Sequence, residues 1–220
     1  MRLRDVVDMG SWAELRDAVG SAYVRCNQLG QAIRGRCSRT ERNLVLFNLC
    51  TRSAIELGRL HQALDDSADA IALPVRNVFE LNIIVRYVLT SDDNLARWVA
   101  EVATDERVIL EGILKLSEGD SLEAERQLRE RLKQIEATLK RHGKSASRTQ
   151  QVSALAAAVN LKTEYDAFFK LYSKYVHPSS WLVNSPPEHL DEWKPILALQ
   201  AQLYAADTFA RISAACEVRV

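Results

Sequence analysis

Apolar residues recur every three to four positions along nearly the whole chain, the spacing of one face of an α-helix. Trp12, Leu15, Val19 and Tyr23 form the first stripe, with Ser11 before them as a helix N-cap. A second helix is predicted to start near Ser38 or Thr40. It carries Leu44, Leu46, Phe47, Cys50, Ile55, Leu57 and Leu60 on its core face and ends near Asp65 and Asp66. A third is predicted to open at Pro74, a residue suited to a first turn, and to run to the polar punctuation at residues 90–93. A fourth covers residues 94–117, with Leu95, Trp98, Val99, Val102, Val108, Ile109, Ile113 and Leu114 as its anchors. Residues 118–121 break the chain and cap the next helix.

The fifth helix differs in composition. It is charged on most faces and keeps one narrow seam, Leu128, Leu132, Ile135 and Leu139. Glu125 with Arg129 and Glu136 with Lys140 are one-turn pairs in the favourable order. Residues 119–148 read as a charged helical arm, and residues 143–151 as a short linker. An Ala-rich segment spans residues 152–159, and a helix is predicted over residues 162–176. A last helix runs from Pro187 to the C-terminus. Its Pro195 implies either a kink or a true start near Trp193. The expectation is an all-α bundle of about seven helices, one of them long and charged, in a single domain over residues 1–220.

Composition narrows the function classes. Lys plus Arg number 29 and Asp plus Glu number 29, so the net charge is zero and advertises no nucleic acid partner. No apolar run reaches the ~20 residues of a membrane span. The N-terminus carries early arginines without a continuous apolar segment, so it does not read as a secretory leader. Cys26, Cys37, Cys50 and Cys216 form no C-x-x-C pair. They read as reduced, mostly buried thiols of a cytoplasmic protein. Nucleotide-binding loops, nucleophile elbows and H-E-x-x-H or E-x-x-H metal motifs are missing from the sequence. His61, His142 and His189 are far apart, so neither a metal nor a cofactor is expected.

Two segments carry candidate chemistry. The third helix is apolar nearly all round yet holds Arg76, Asn77, Glu80, Asn82 and Arg86. Charges in such a helix need partners. Arg76 and Glu80 are one turn apart. Arg86 needs a partner from another helix, with Glu56, Glu101 and Asp105 as candidates. This reads as a register-fixing ion pair or as the wall of a polar pocket. The second segment has Tyr165, Phe168, Tyr172 and Tyr175 in one core stripe and ends at His177, before Pro178. A histidine at a helix C-terminus titrates near neutrality and feels the dipole. With Ser173, Lys170 and Lys174 beside it, His177 is a candidate general acid/base.

The run Pro74, Arg76, Glu80, with a later tyrosine-rich helix ending at Ser173 and His177, resembles an uncharacterised group of bacterial all-helical proteins over roughly residues 72–181. That group is more distantly similar to the HEPN superfamily of helical bundles, which includes metal-independent RNases of toxin–antitoxin and phage-defence systems. Its signature is an arginine, four to six intervening residues and then a histidine. Only His177 matches; Lys170, Leu171 and Tyr172 occupy the arginine positions. Lys170 supplies charge without the planar fork that grips phosphate. The resemblance therefore implies a non-catalytic binding or regulatory module, acting as a homodimer or on another protein. The alternative is an endoribonuclease using His177, with Lys170 or Lys174 on the phosphate and Ser173 orienting the imidazole. Arg76, Glu80, Arg86 and Tyr172 would line the pocket in either case.

Overall fold

The computed structural model describes residue 7 and residues 10–116, 122–141 and 150–220. Among these residues all regular structure is helical. The helices are α1 (Trp12–Arg36), α2 (Glu41–Ala63), α3 (Ala68–Thr90), α4 (Asp92–Leu116), α5 (Leu122–Arg141), α6 (Val152–Ala158), α7 (Lys162–Val176), α8 (Ser180–Asn184), α9 (Pro187–Asp191) and α10 (Lys194–Ala215). They form two compact units. One is Met1–Leu89 with Val152–Val220, the other Thr90–Gln151. No described helix is long and apolar enough to cross a membrane.

Local chemistry sets the helix ends of the larger unit. Ser11 and Glu14 form a reciprocal capping box: the Glu14 amide donates to Ser11 Oγ at 3.4 Å, and the Ser11 amide donates to Glu14 Oε2 at 2.5 Å. Thr40 Oγ1 accepts from the Asn43 amide at 3.1 Å and starts α2. α3 begins earlier than its sequence suggested. Its first amide, on Ala68, donates to Asp191 Oδ1 at 3.0 Å, so the cap comes from α9 and not from a neighbouring residue. Pro74 therefore lies inside the helix, where it leaves the Ala70 carbonyl without its usual donor. At the far end of the chain, α10 starts at Lys194 with Trp193 as N-cap, and Pro195 falls in the first turn, where it needs no kink. The helix expected from Pro187 onward is thus two: the short α9, then α10.

The core of this unit is aliphatic around α2 and aromatic around α7. Leu29, Leu46, Leu57, Leu60, Ile71, Ile83, Leu197 and Ile212 are all but inaccessible. Each such side chain contributes about 1.5–3 kcal/mol. α1 and α2 approach closely. A Cβ on Gly20 would meet His61 Nε2 at 3.0 Å, and one on Gly58 would meet the Tyr23 ring at 3.1 Å. Leu44 and Ile55, expected on the α2 core face, are instead 58% and 43% exposed; they flank the buried stripe of Val45, Leu46, Leu49 and Leu57.

The second unit is a two-helix hairpin. Ile135 and Leu139 of the α5 seam are buried, with Leu128 and Leu132 half-buried. On α4, Leu95, Ala100, Glu101 and Thr104 are buried. Val102, Val108, Ile109 and Ile113, expected as anchors, are exposed. A hairpin of two helices can bury only one stripe of each, so the second apolar stripe of α4 is left outside. The predicted break at residues 118–121, most of the linker and His142 lie outside the described residues.

Candidate functional site

The charged positions of α3 organise the polar interior of the larger unit. Phe79, on the same helix, is the hub. Its ring stacks on Tyr204 of α10 at 4.3 Å between centroids. It meets Tyr165, Phe168 and Tyr172 of α7 at 6.1, 6.1 and 6.3 Å. One helical turn from Phe79, Arg76 Nε donates to Glu80 Oε1 at 2.8 Å. The Arg76 guanidinium also lies over the Phe169 ring, 5.0 Å from its centroid. Arg76 and Glu80 keep only about a fifth of their side-chain surface, 22% and 18%.

Hydroxyls around this hub face carboxyl and amide oxygens. Tyr204 Oη donates to Glu164 Oε1 at 2.6 Å. Tyr172 Oη donates to Gln200 Oε1 at 2.7 Å. Burial pushes all of these phenols up. Glu164 adds to the effect at Tyr204, and Glu164 and Glu80 at Tyr172; at Tyr165 the Glu80 charge raises and Arg76 opposes. These phenols are neutral at physiological pH, and Tyr172 and Tyr204 act as donors. Among the described residues, Gln200 Nε2 is buried without a partner.

A second polar group continues along α3. Arg86 Nε donates to Asp207 Oδ2 at 3.0 Å and to Asn82 Oδ1 at 3.1 Å. Asn82 Nδ2 donates to Asp207 Oδ2 at 2.8 Å and to Thr208 Oγ1 at 3.0 Å. Arg211 Nε completes the set on Asp207 Oδ2 at 2.7 Å. Burial raises the Asp207 carboxyl, but the hydrogen bonds from Arg211 and Asn82 and the charge of Arg86 outweigh it, holding the group below its ordinary value. Arg86 is thus partnered by Asp207, a residue outside the three candidates named from the sequence. Glu56 is taken by Arg52, Arg59 and Asn77 at 2.5, 3.0 and 3.1 Å, and Glu101 accepts from the Gln150 amide at 3.2 Å.

The end of α7 is arranged differently. His177 is its C-cap, extended at φ −112° and ψ 148°, as the next residue, a proline, requires. Its amide donates to Ser173 O at 3.3 Å. The imidazole is exposed and, among the described residues, makes no side-chain hydrogen bond or ion pair. Ser173 Oγ donates to Lys170 O at 3.0 Å, so the hydroxyl serves its own helix and does not orient the imidazole. Lys170 and Lys174 point into solvent. α7 runs antiparallel to α3: Tyr165 and Tyr172 lie against Phe79, while Tyr175 feels the charge of Asp69. His177 is eight residues beyond Phe169, about 12 Å along the axis. The structure therefore gathers Arg76, Glu80 and Tyr172 around Phe79 and links Arg86 to α10. It keeps His177, Lys170, Ser173 and Lys174 together at the helix end, without bringing them to that group.

A profile of a family of unknown function, DUF5677, matches residues 44–191. The chain belongs to this family. The matched segment runs from within α2 to the end of α9 and includes Arg76, Glu80, Arg86 and all of α7 with His177. Tyr204 and Asp207, which complete the polar interior, lie beyond it. No curated protein and no solved structure matches the chain.

Sequence reasoning did not reach Glu164, Gln200, Tyr204 and Asp207. The signal for the last was present. Asp207 and Arg211 are charges one turn apart in an otherwise apolar helix, the same anomaly that singled out α3. Among the described residues no three His, Cys, Asp or Glu side chains form a group that could hold a metal ion.

Proposed function

We propose that the protein is a HEPN-like binding or regulatory module that acts through contacts with a second copy or another protein, not through catalysis. One observation supports this reading above the others. The charged groups of α3 are engaged with carboxylates inside the bundle, as in Arg76–Glu80 and Arg86–Asp207. Among the described residues, the exposed His177 has no hydroxyl or arginine bonded to its imidazole. Placement in phage defence or a toxin–antitoxin pair rests on the motif resemblance alone.

The alternative is a metal-independent endoribonuclease. It is favoured by the open imidazole of His177 with Lys170 and Lys174 exposed on the same helix end. An RNA pool incubated in EDTA with wild type and with His177→Ala separates the two. The expected outcome is intact RNA in both reactions. Cleavage by wild type that is lost in His177→Ala overturns the binding-module reading and makes His177 the general acid/base.

A further inference from the structure

The four cysteines are widely separated in sequence, yet they converge where α1, α2 and α10 meet. Cys50 Sγ lies 3.1 Å from the Cys26 carbonyl oxygen, and Cys37 Sγ lies 3.7 Å from that of Cys216. Within each pair the two thiols interact electrostatically, and Cys50 also feels the charge of Cys216. All four are free thiols.

The two pairs differ in setting. Cys26 and Cys50 are buried between packed helices, and the Cys50 thiol is pushed far up by its bond to Cys26 and by burial. Cys37 and Cys216 are only half-buried, and each is the C-cap of its helix, α1 and α10. Each closes the last turn of its helix, the Cys37 amide donating to Ile33 O at 3.0 Å and the Cys216 amide to Ile212 O at 2.9 Å. Cys37 also lines an open groove of about 340 Å³ together with Ile33, Arg34, Arg39 and Phe47.

We propose that Cys37 and Cys216 are a modification site, a dithiol that a peroxide closes into a disulfide fastening the end of α10 to the end of α1. The Cys37 thiolate attacks one peroxide oxygen. The O–O bond breaks, hydroxide leaves and takes up a proton, and Cys37 becomes a sulfenic acid. The Cys216 sulfur then gives up its proton and attacks that sulfur. The S–S bond forms and the sulfenic oxygen leaves as water. One hydrogen peroxide and two thiols become one disulfide and two waters, a two-electron oxidation. Burial, then the charge of Cys37 and the bond to it, raises the Cys216 thiol to about 11, with Arg42 opposing, so Cys216 is the thiol less ready to meet peroxide first. The bond would join the two ends of a loop that spans most of the chain and encloses α3 and α7, a restraint that falls mainly on the unfolded state. A low-mass thiol reverses it by exchange.

The cysteine geometry alone carries this proposal, independently of the binding-module reading. The full chain is treated with hydrogen peroxide, quenched with N-ethylmaleimide after denaturation, and digested without reduction for peptide mass mapping. The expected product is monomeric protein with Cys37 linked to Cys216, Cys26 and Cys50 alkylated, and a midpoint of thermal unfolding several degrees higher that returns on adding dithiothreitol. In Cys216→Ser the link is lost and Cys37 is trapped as a dimedone adduct. Four alkylated thiols, a Cys26–Cys50 link in place of the outer one, or only intermolecular links would each overturn the proposal.

Discussion

Asp207 ties α3 to α10, because three donors from these two helices meet on its Oδ2. The partly buried carboxylate keeps about a quarter of its side-chain surface, 26%, so its charge is only partly screened. Folding lowers its carboxyl below the ordinary value, so folding favours the ionised form. That contribution is fully present above the unfolded aspartate pKa of about 3.9 and is lost as the pH falls through the lower folded value. Asp207→Asn keeps the shape, removes the charge and turns an amide toward donors. It is expected to cost about 1–3 kcal/mol at neutral pH. Denaturant midpoints at pH 7 and at pH 3 check this, because the gap between wild type and variant should narrow at the lower pH. An equal gap at both would assign the loss to the amide facing those donors and not to charge.

At the scale of elements, legibility followed sequence distance. The Arg76–Glu80 contact is a one-turn pair and could be read directly, as could the burial of Tyr165, Tyr172 and Tyr175 from their stripe. The Arg86–Asp207 contact joins residues 121 positions apart and could not, because periodicity gives the buried face of a helix and not its neighbour. The start of α3 was missed for the same reason, its cap being Asp191. α4 shows the converse. It has enough apolar positions for two faces, but α5 covers only one. Gly112 lies on the exposed side of α4, where an added Cβ would meet nothing within 4 Å. With no clash to offset the gain in helix propensity, Gly112→Ala should stabilise α4 by about 0.5–1 kcal/mol. Circular dichroism through the thermal transition checks it. A lower midpoint would mean that the glycine meets something beyond this chain, such as a partner helix needing close approach.

Taken whole, the molecule divides its stability unequally. The unit built from α1–α3 and α6–α10 buries a continuous set of large side chains, among them Leu57, Leu60, Phe79, Tyr172, Leu197 and Ile212. The α4–α5 hairpin buries Leu95, Ala100, Ile135 and Leu139, and leaves Val102, Val108, Ile109, Ile113, Leu116 and Leu122 in water. Its surface ion pairs, such as Arg129–Glu125 and Arg131–Glu106, contribute about 0.2–1 kcal/mol each and cannot replace that burial. Local opening free energy scales with the apolar surface an element hides, so the hairpin should open well before the larger unit does. Amide hydrogen exchange is expected to be fast over residues 92–116 and 122–141 and slow over residues 41–63, 68–90 and 194–215. Equal protection across both sets would sink this division and require that the exposed stripe of α4 be covered in solution. Repeating the exchange over a range of protein concentrations then identifies the cover. Protection that grows with concentration marks a second copy, the kind of partner the binding-module reading calls for.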